Sequence, residues 1–294
     1  MPPNDTITQG PFTAEFPWPA PAKLNLFLHV TGRRADGYHE LQTLFQFVDF
    51  GDSLFFKPRS DAQIVRSGGP FDIAPENDLV LRAARAIRQA SGAYDLGIDI
   101  HVEKRLPSGA GLGGGSSNAA TTLVALNRLW NLGMPVDELA QLGVHLGADV
   151  PVFVRGHAAW AEGIGERLQP VDIDEPWYLI VTPAVTVPTA EIFRAPELRR
   201  DHPRIGLDDF AAGHTDNDCE PVTCARYPEV GEALRWLQAH AGHARMSGTG
   251  ASVFARFAER EAASALAGRV PAGWRSIVAR GCNRSPLLDA VARS

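Results

Sequence analysis

Lysine is nearly absent from this sequence: of its 28 basic residues only Lys23, Lys57 and Lys104 are lysines, and the rest are arginines. Where such a chain still writes lysine, a compact ammonium rather than a planar fork is the expected requirement. Cysteine is equally scarce. Cys219, Cys224 and Cys282 are too few and too irregularly spaced for a disulfide framework or a zinc site, so idle thiols in a reducing compartment are expected. Runs of basic residues do not exceed pairs such as Arg33-Arg34 and Arg199-Arg200, and the formal net charge is −6. The electrostatic footprint of a nucleic-acid binder is therefore missing. No apolar stretch nears the ~20 residues of a membrane span. Residues 1–17 carry neither a basic nor an apolar signal region and are expected to form a loose leader before a fold that starts near Trp18. These absences lead to the expectation of a cytoplasmic protein, a monomer or weak homodimer, with no nucleic-acid or membrane partner.

What is present supports a real core: 45% of the 294 residues are hydrophobic and 21% charged, enough for one large or two modest domains. Leu24, Leu26 and Leu28 alternate with Asn25 and Phe27, which predicts a strand. Residues 33–39 form a loop around Asp36-Gly37. Strands are expected at 41–50, 53–57 and 62–66, broken at Gly51-Asp52 and at 67–70. A helix follows at 79–90, with Asn77 or Asp78 as its N-cap, then a strand at 97–103. Helices are predicted at 117–131 and 136–147, and a strand or two through Ala159 and Trp160. A second unit opens with a strand at 177–183. It contains helices near 229–241 and 259–268, and strands near 251–257 and 274–280. Without a regular βαβ rhythm or an internal repeat, the fold class expected is α+β.

The densest signal lies at 109–117, Gly-Ala-Gly-Leu-Gly-Gly-Gly-Ser-Ser, between a strand and a helix. Five glycines let backbone N–H groups turn toward an anion, and the helix N-terminus adds unpaired donors. The ordinary alternative is a flexible hinge or packing turn. A Walker A loop is excluded because no lysine ends the run. The spacing Gly109-x-Gly111-x-x-Gly114 matches a dinucleotide fingerprint only formally, since residues 104–108 separate the strand from the glycines. No protein-kinase HRD or DFG set follows.

Two further residues carry possible chemistry. Asp149, in Gly-Ala-Asp-Val-Pro-Val-Phe, is a carboxylate among small and apolar neighbours that needs a cationic partner if buried. Lys23 opens an apolar strand and is the best partner. Taken alone, this pair is better explained by a helix-capping aspartate and a strand-edge surface lysine than by catalysis. A second glycine turn, Met246-Ser-Gly-Thr-Gly-Ala-Ser-Val-Phe, precedes a strand.

Together, residues 107–117, the segment around Asp149 and residues 246–254 resemble the three signature segments of the GHMP kinases. The resemblance implies a two-domain fold. A ribosomal-protein-S5-like N-terminal domain (18–164) would bind ATP, and a ferredoxin-like domain (165–294) would follow. It implies that Pro107, Ser108, Gly109, Ala110, Gly111, Leu112, Gly113, Gly114, Gly115, Ser116 and Ser117 hold ATP phosphates, that residues 246–254 brace that loop, and that Lys23 and Asp149 form the catalytic pair. Mg²⁺ is expected with the nucleotide. No second carboxylate for it is evident, and Ser116 is the candidate protein ligand.

From Trp18 to Leu288 the chain is most similar to the branch of these kinases that phosphorylates a cytidine-diphosphate sugar alcohol on the way to isoprenoids. Segments such as PAKLNLFLHVTGRRADGYHELQTLFQFVDFGD and LGADVPVFVRGHAAWAEGIGE carry this similarity. It implies that Asn25 lines the acceptor site, that Tyr38, His39 and Phe193 hold the cytosine, and that Thr189 lies near the diphosphate. A kinase of the mevalonate or homoserine type, or an inactive binding protein of the same fold, is the alternative. Two positions depart from the family pattern: Ala110 replaces a glycine, and Asp78 stands where asparagine is usual, which puts a nucleotide contact there in doubt.

Overall fold

The computed structural model describes residues 17–69 and 73–293. The leader expected at 1–17 therefore falls outside the described residues except for Pro17, and so does Pro70 of the turn expected at 67–70.

The first strand, Trp18–Arg33 (β1), is buried along most of its length. Its pairing register shifts between Pro21 and Lys23, Asn25 and Leu28, and Val30 and Gly32. Each bulge re-aims the side chains. Trp18 and Ala20 join a core under the first sheet, Leu24 and Phe27 a central cluster, and Leu28 and Val30 a third core. The alternation expected from Leu24 to Leu28 is broken in this way, and Phe27 is buried with its neighbours.

β1 pairs antiparallel with His39–Arg59 (β2), one strand of 21 residues where a break at Gly51-Asp52 is expected. The physical reason is close approach rather than a turn. A Cβ on Gly51 would lie 2.1 Å from the Ala20 carbonyl oxygen. Asp52, also buried, accepts hydrogen bonds from the Arg105 and Leu106 amides at 2.7 Å each. A glycine and an aspartate that mark a loop in most sequences here let two strands touch and anchor a third segment.

Ile64–Gly68 (β3) runs parallel to Gly97–Glu103 (β4), which pairs with the far end of β2. Ala159–Gly163 (β5) pairs with the near end, and Arg167–Pro170 (β6) with β5. Four helices cover this sheet: Leu79–Ser91 (α1) and Gly114–Leu129 (α2) pack on its strands, and Val136–Val144 (α3) and Val150–Arg155 (α4) pack on α2. α1 shows why the local sequence folds as it does. Asp78 caps it through Oδ1, which accepts from the Val80 and Leu81 amides at 2.9 and 3.2 Å. Val80, Leu81, Ala83, Ala84 and Ile87 form its buried stripe, and Gly92 ends it in the left-handed region.

The second part contains Trp177–Thr182 (β7), Thr189–Arg194 (α5), Leu207–Ala211 (α6), Cys219–Arg226 (α7), Pro228–Ala241 (α8), Arg245–Met246 (β8), Val253–Phe257 (β9), Arg260–Ala267 (α9) and Arg275–Cys282 (β10). Its strands lie in the order β10-β7-β9-β8, all antiparallel. Helices α5 to α8 connect β7 to β8, and α9 connects β9 to β10. This is the ferredoxin-like arrangement, and with the first sheet it completes the expected two-part α+β fold. Gly281 and Cys282 of β10 pair with Val48 and Phe47 of β2, so the two sheets join edge to edge. The chain then crosses back. Pro286–Arg293 (α10) packs on β1 and α2 and places Leu287 in the first core. The division expected at 164/165 runs through these contacts, because β6 pairs with β5 and α10 covers the first core.

His29 stacks on His202 with ring centroids 3.5 Å apart and planes 9° from parallel. Its Nε2 accepts the Asp216 amide at 3.2 Å. Burial, and then the neighbouring His202, hold its pKa down from 6.5 to about 4. Below pH ~6.5 the unfolded chain takes up a proton that the folded chain refuses until about pH 4, so stability from this site is complete above that window and falls through it, by up to about 3 kcal/mol. Urea midpoints measured from pH 7.5 to 4.5 should fall less steeply in His29→Gln than in the parent; parallel curves would remove His29 from the acid response.

Candidate active site

The last residues of the glycine loop are the first residues of helix α2. The sequence predicts a helix from 117, but α2 begins at Gly114, because Gly113 takes φ 71° and turns the chain into the helix at once. Gly114, Gly115 and Ser116 thus open the first turn with amides that have no partner within the helix, whereas the Ser117 amide already donates to the Gly113 carbonyl at 2.8 Å. No side chain caps them. The result is an uncapped, electropositive helix end lined by main-chain donors, which suits a polyphosphate. Gly114, Gly115 and Ser116, with Lys23, Asn25, Asp149, Thr189 and Phe193, line one cleft of about 540 Å³, whereas Ser117, also expected at the phosphates, is fully buried and does not line it.

Lys23 is 3% exposed, so it is no surface lysine. Its ammonium lies 3.2 Å from Asp149 Oδ2 and donates a hydrogen bond to Asn25 Oδ1. Asp149 occupies the N-cap position of α4, yet its carboxylate makes no capping hydrogen bond. The side chain, a third exposed, is directed to Lys23 instead. The plain structural explanation of both residues, capping and surface charge, therefore fails in this structure. A carboxylate held beside an ammonium at an uncapped helix end can accept a proton from a hydroxyl while the cation steadies the oxygen left behind.

The 246–254 turn braces this arrangement. Ser247 Oγ donates to the Gly111 carbonyl at 3.0 Å and accepts the Asn25 amide at 3.1 Å. The Ser252 amide donates to the Ala110 carbonyl at 3.0 Å, and the Lys23 amide to the Leu112 carbonyl at 3.1 Å. Asn25 Nδ2 donates to Thr43 Oγ1 at 3.0 Å, which ties the strand carrying Lys23 to β2. Thr189, at the start of α5, shares a 3.2 Å hydrogen bond with Thr249.

A second hollow continues from the first, and Leu41, Ala148, Ile164, Thr189 and Phe193 line both. Tyr38 and His39 line the second. The structure brings His39, rather than Tyr38, against Phe193: those rings are 5.3 Å apart and 28° from parallel, while Tyr38 is 60% exposed at the loop tip. Burial, and then the charges of Arg200 and Arg33, hold the His39 pKa below its ordinary value.

Of the two departures, Ala110 lies outside the positive-φ residues and its buried methyl fits. Asp78 caps α1 with one oxygen and faces Arg66 at 3.2 Å with the other, so its charge is engaged beside the cleft. Sequence reasoning missed Lys104 and Asn118. Lys104 pairs with Asp52 at 2.5 Å and its Nζ comes within 3.0 Å of where a Cβ on Gly114 would stand. The scarcity of lysine that drew attention to Lys23 applied to it equally. Asn118 lines the cleft from α2, and its buried Oδ1 has no hydrogen-bond partner among the described residues; no pattern in the sequence announces it. The cysteines are free, and burial raises Cys219 to about 12 and Cys224 and Cys282 to about 11.

Among the described residues no group of three or more His, Cys, Asp or Glu side chains could hold a metal ion. The cleft offers the carboxylate of Asp149 and the hydroxyl of Ser116, while Asp78, which also lines it, is engaged by the α1 amides and Arg66. That sparse oxygen set fits a magnesium ion that takes most of its ligands from phosphate and water. No helix among the described residues is long and apolar enough to cross a membrane.

Residues 78–157 match the GHMP kinases N terminal domain and residues 195–276 the GHMP kinases C terminal domain. The 4-diphosphocytidyl-2-C-methyl-D-erythritol kinase of Halorhodospira halophila is 54% identical over 280 residues, 94% of this chain and 96% of its own length. The enzyme of that name from Pseudomonas paraeruginosa is 54% identical over 92% of this chain and 95% of its own. A crystal structure of 4-(cytidine 5'-diphospho)-2C-methyl-D-erythritol kinase superposes with a TM-score of 0.79 at 34% identity, over 90% of this chain and 99% of that one. The mevalonate kinase of Methanococcus jannaschii, at 17% identity and a TM-score of 0.68, shares the fold.

Proposed function

Because the chain belongs to the 4-diphosphocytidyl-2-C-methyl-D-erythritol kinases of the GHMP family, we propose that its cleft carries the γ-phosphate of ATP to the 2-hydroxyl of 4-diphosphocytidyl-2-C-methyl-D-erythritol, a step toward isoprenoid precursors. Residues 107–117 hold the triphosphate through main-chain donors and the uncapped end of α2. Asp149 accepts the proton of the attacking hydroxyl, and Lys23 steadies the developing negative charge. Asn25 keeps Lys23 aimed through its Oδ1 and lines the acceptor side. Ser116 would hold Mg²⁺, which when bound neutralises charge on the phosphate oxygens. Tyr38, His39 and Phe193 receive the cytosine, and Thr189 the diphosphate end. In this reading the protein acts in the cytoplasm, as a monomer or weak homodimer and without nucleic acid, and the triphosphate falls to residues 18–164 and much of the acceptor to the part that follows.

The observation that carries these roles is the Lys23–Asp149 pair, 3.2 Å apart in the cleft of the uncapped helix. ADP release in the presence of the cytidine-diphosphate acceptor tests it, with mevalonate and homoserine as comparison alcohols; ADP release with those alcohols alone would overturn it.

The base-binding side makes its own prediction. Stacking on an aromatic face is worth ~1–3 kcal/mol per base. Phe193→Ala should therefore raise KM for the acceptor about tenfold to a hundredfold, with Tyr38→Ala acting in the same direction and KM for ATP unchanged. An acceptor KM left at the parent value in both variants would remove the rings from recognition.

A further inference from the structure

We propose that Arg200 is a positioning residue that fixes the tautomer His39 presents to the acceptor's base, and so admits cytosine and disfavours uracil. The proposal rests on the reading that the second hollow receives the base. Arg200 Nε donates to His39 Nε2 at 3.1 Å. A guanidinium has donors only. The nitrogen that faces it must offer its lone pair, which leaves the ring proton on Nδ1.

Arg200 has little freedom to do otherwise. Its remaining donors reach the carbonyls of Ala195 at 2.6 Å, Leu198 at 2.8 Å and Phe193 at 3.2 Å. The Phe193 carbonyl lies in the last turn of the short helix α5, which also carries Thr189, and the other two follow that helix. One side chain thus fastens the Phe193 segment and the His39 ring together. The ring itself is held against Phe193. Its lowered pKa keeps it neutral near pH 7. Among the described residues Nδ1 has no hydrogen-bond partner, and it is not one of the atoms sealed from solvent without one. A single N–H donor is therefore available on a ring of the base-binding hollow.

Cytosine and uracil differ where that donor matters. N3 of cytosine carries a lone pair, whereas N3 of uracil carries a proton. A fixed N–H donor at this edge pairs with the first and meets another donor in the second. Sites that hydrogen-bond one edge reject its mismatched analogue strongly, because a desolvated polar group is left unpaired. If His39 were free to exchange tautomers, it would turn its bare nitrogen toward uracil and discrimination would shrink.

Two measurements test the assignment on the full chain. In wild-type protein, long-range ¹H–¹⁵N spectra of His39 should show Nε2 as the unprotonated nitrogen; an unprotonated Nδ1 overturns the proposal, whatever the variants do. In Arg200→Met, the preference in kcat/KM for the cytidine acceptor over its uridine counterpart should fall at least tenfold. The loss should lie mainly in acceptor KM, with KM for ATP unchanged. Arg200→Lys, which keeps a cationic donor, should recover part of the preference and serves if the methionine variant does not fold. If wild type prefers cytidine and Phe193→Ala raises acceptor KM, but neither Arg200 variant changes the preference, then Arg200 fails while the base-binding reading stands. If wild type shows no preference and Phe193→Ala changes nothing, the base-binding reading has failed and takes this proposal with it.

Discussion

Replacing Asp149 by asparagine should lower turnover by about 10²–10⁴-fold, the contribution typical of a positioned general base, and leave ATP binding within a few-fold of the parent. The amide keeps the size of the carboxylate but cannot take the hydroxyl proton. Lys23 would lose its 3.2 Å partner and keep its hydrogen bond to Asn25, so the loop and the strand should stay in place. Titration calorimetry with ATP and rapid-quench turnover separate the two effects. Lys23→Met should also be slow, and the double variant hardly slower than the worse single one, since residues acting as a unit are not additive. Near-parental turnover in Asp149→Asn would take this carboxylate out of the chemistry.

Gly111→Ala should damage stability and nucleotide binding together, even though the residue beside it is already alanine. Ala110 has no left-handed backbone and a buried methyl, so Ala110→Gly should cost about 1 kcal/mol or less. Gly111 has φ 74°, where a side chain costs roughly 1–2 kcal/mol. Its added Cβ would also lie 2.2 Å from the Ser247 carbonyl oxygen and 3.0 Å from that of Gly250. Both are backbone atoms that cannot rotate away. Relief requires the glycine loop to part from the 246–254 turn, which loses the Ser247 hydrogen bond to Gly111. Thermal scanning should show a lower Tm and a KM for ATP raised at least tenfold. A Gly111→Ala protein with parental Tm and parental KM would mean that the brace does not hold the loop.

What the sequence disclosed follows from how local each signal is. α1 and β4 appear where periodicity and capping put them, because Asp78, the Ile87 stripe and the alternation from Ile98 to Val102 act over a few residues. Gly51-Asp52 misled because its meaning depends on Ala20 and on residues 104–106, which are distant in sequence. The short helices α5, α6 and α7 carry too few turns to show a period, and α5 is held by Arg200 six residues beyond its end. The Lys23–Asp149 pairing could be named from the resemblance to GHMP kinases, but only coordinates bring side chains 126 residues apart to 3.2 Å. Arg200 was invisible for a related reason. Its contact with His39 spans 161 residues, and nothing around Arg199-Arg200 distinguishes it from a surface pair.

The return of α10 bears on how the protein is made. Leu287 completes a core begun by Trp18 and Ala20, so a nascent chain still lacking this helix exposes part of the layer that supports the nucleotide cleft. β10, which stitches the sheets at Gly281 and Cys282, is also translated late. The phosphate-holding half should therefore gain its final rigidity only once this helix has left the ribosome, and removing it would loosen a cleft to which it contributes no lining residue.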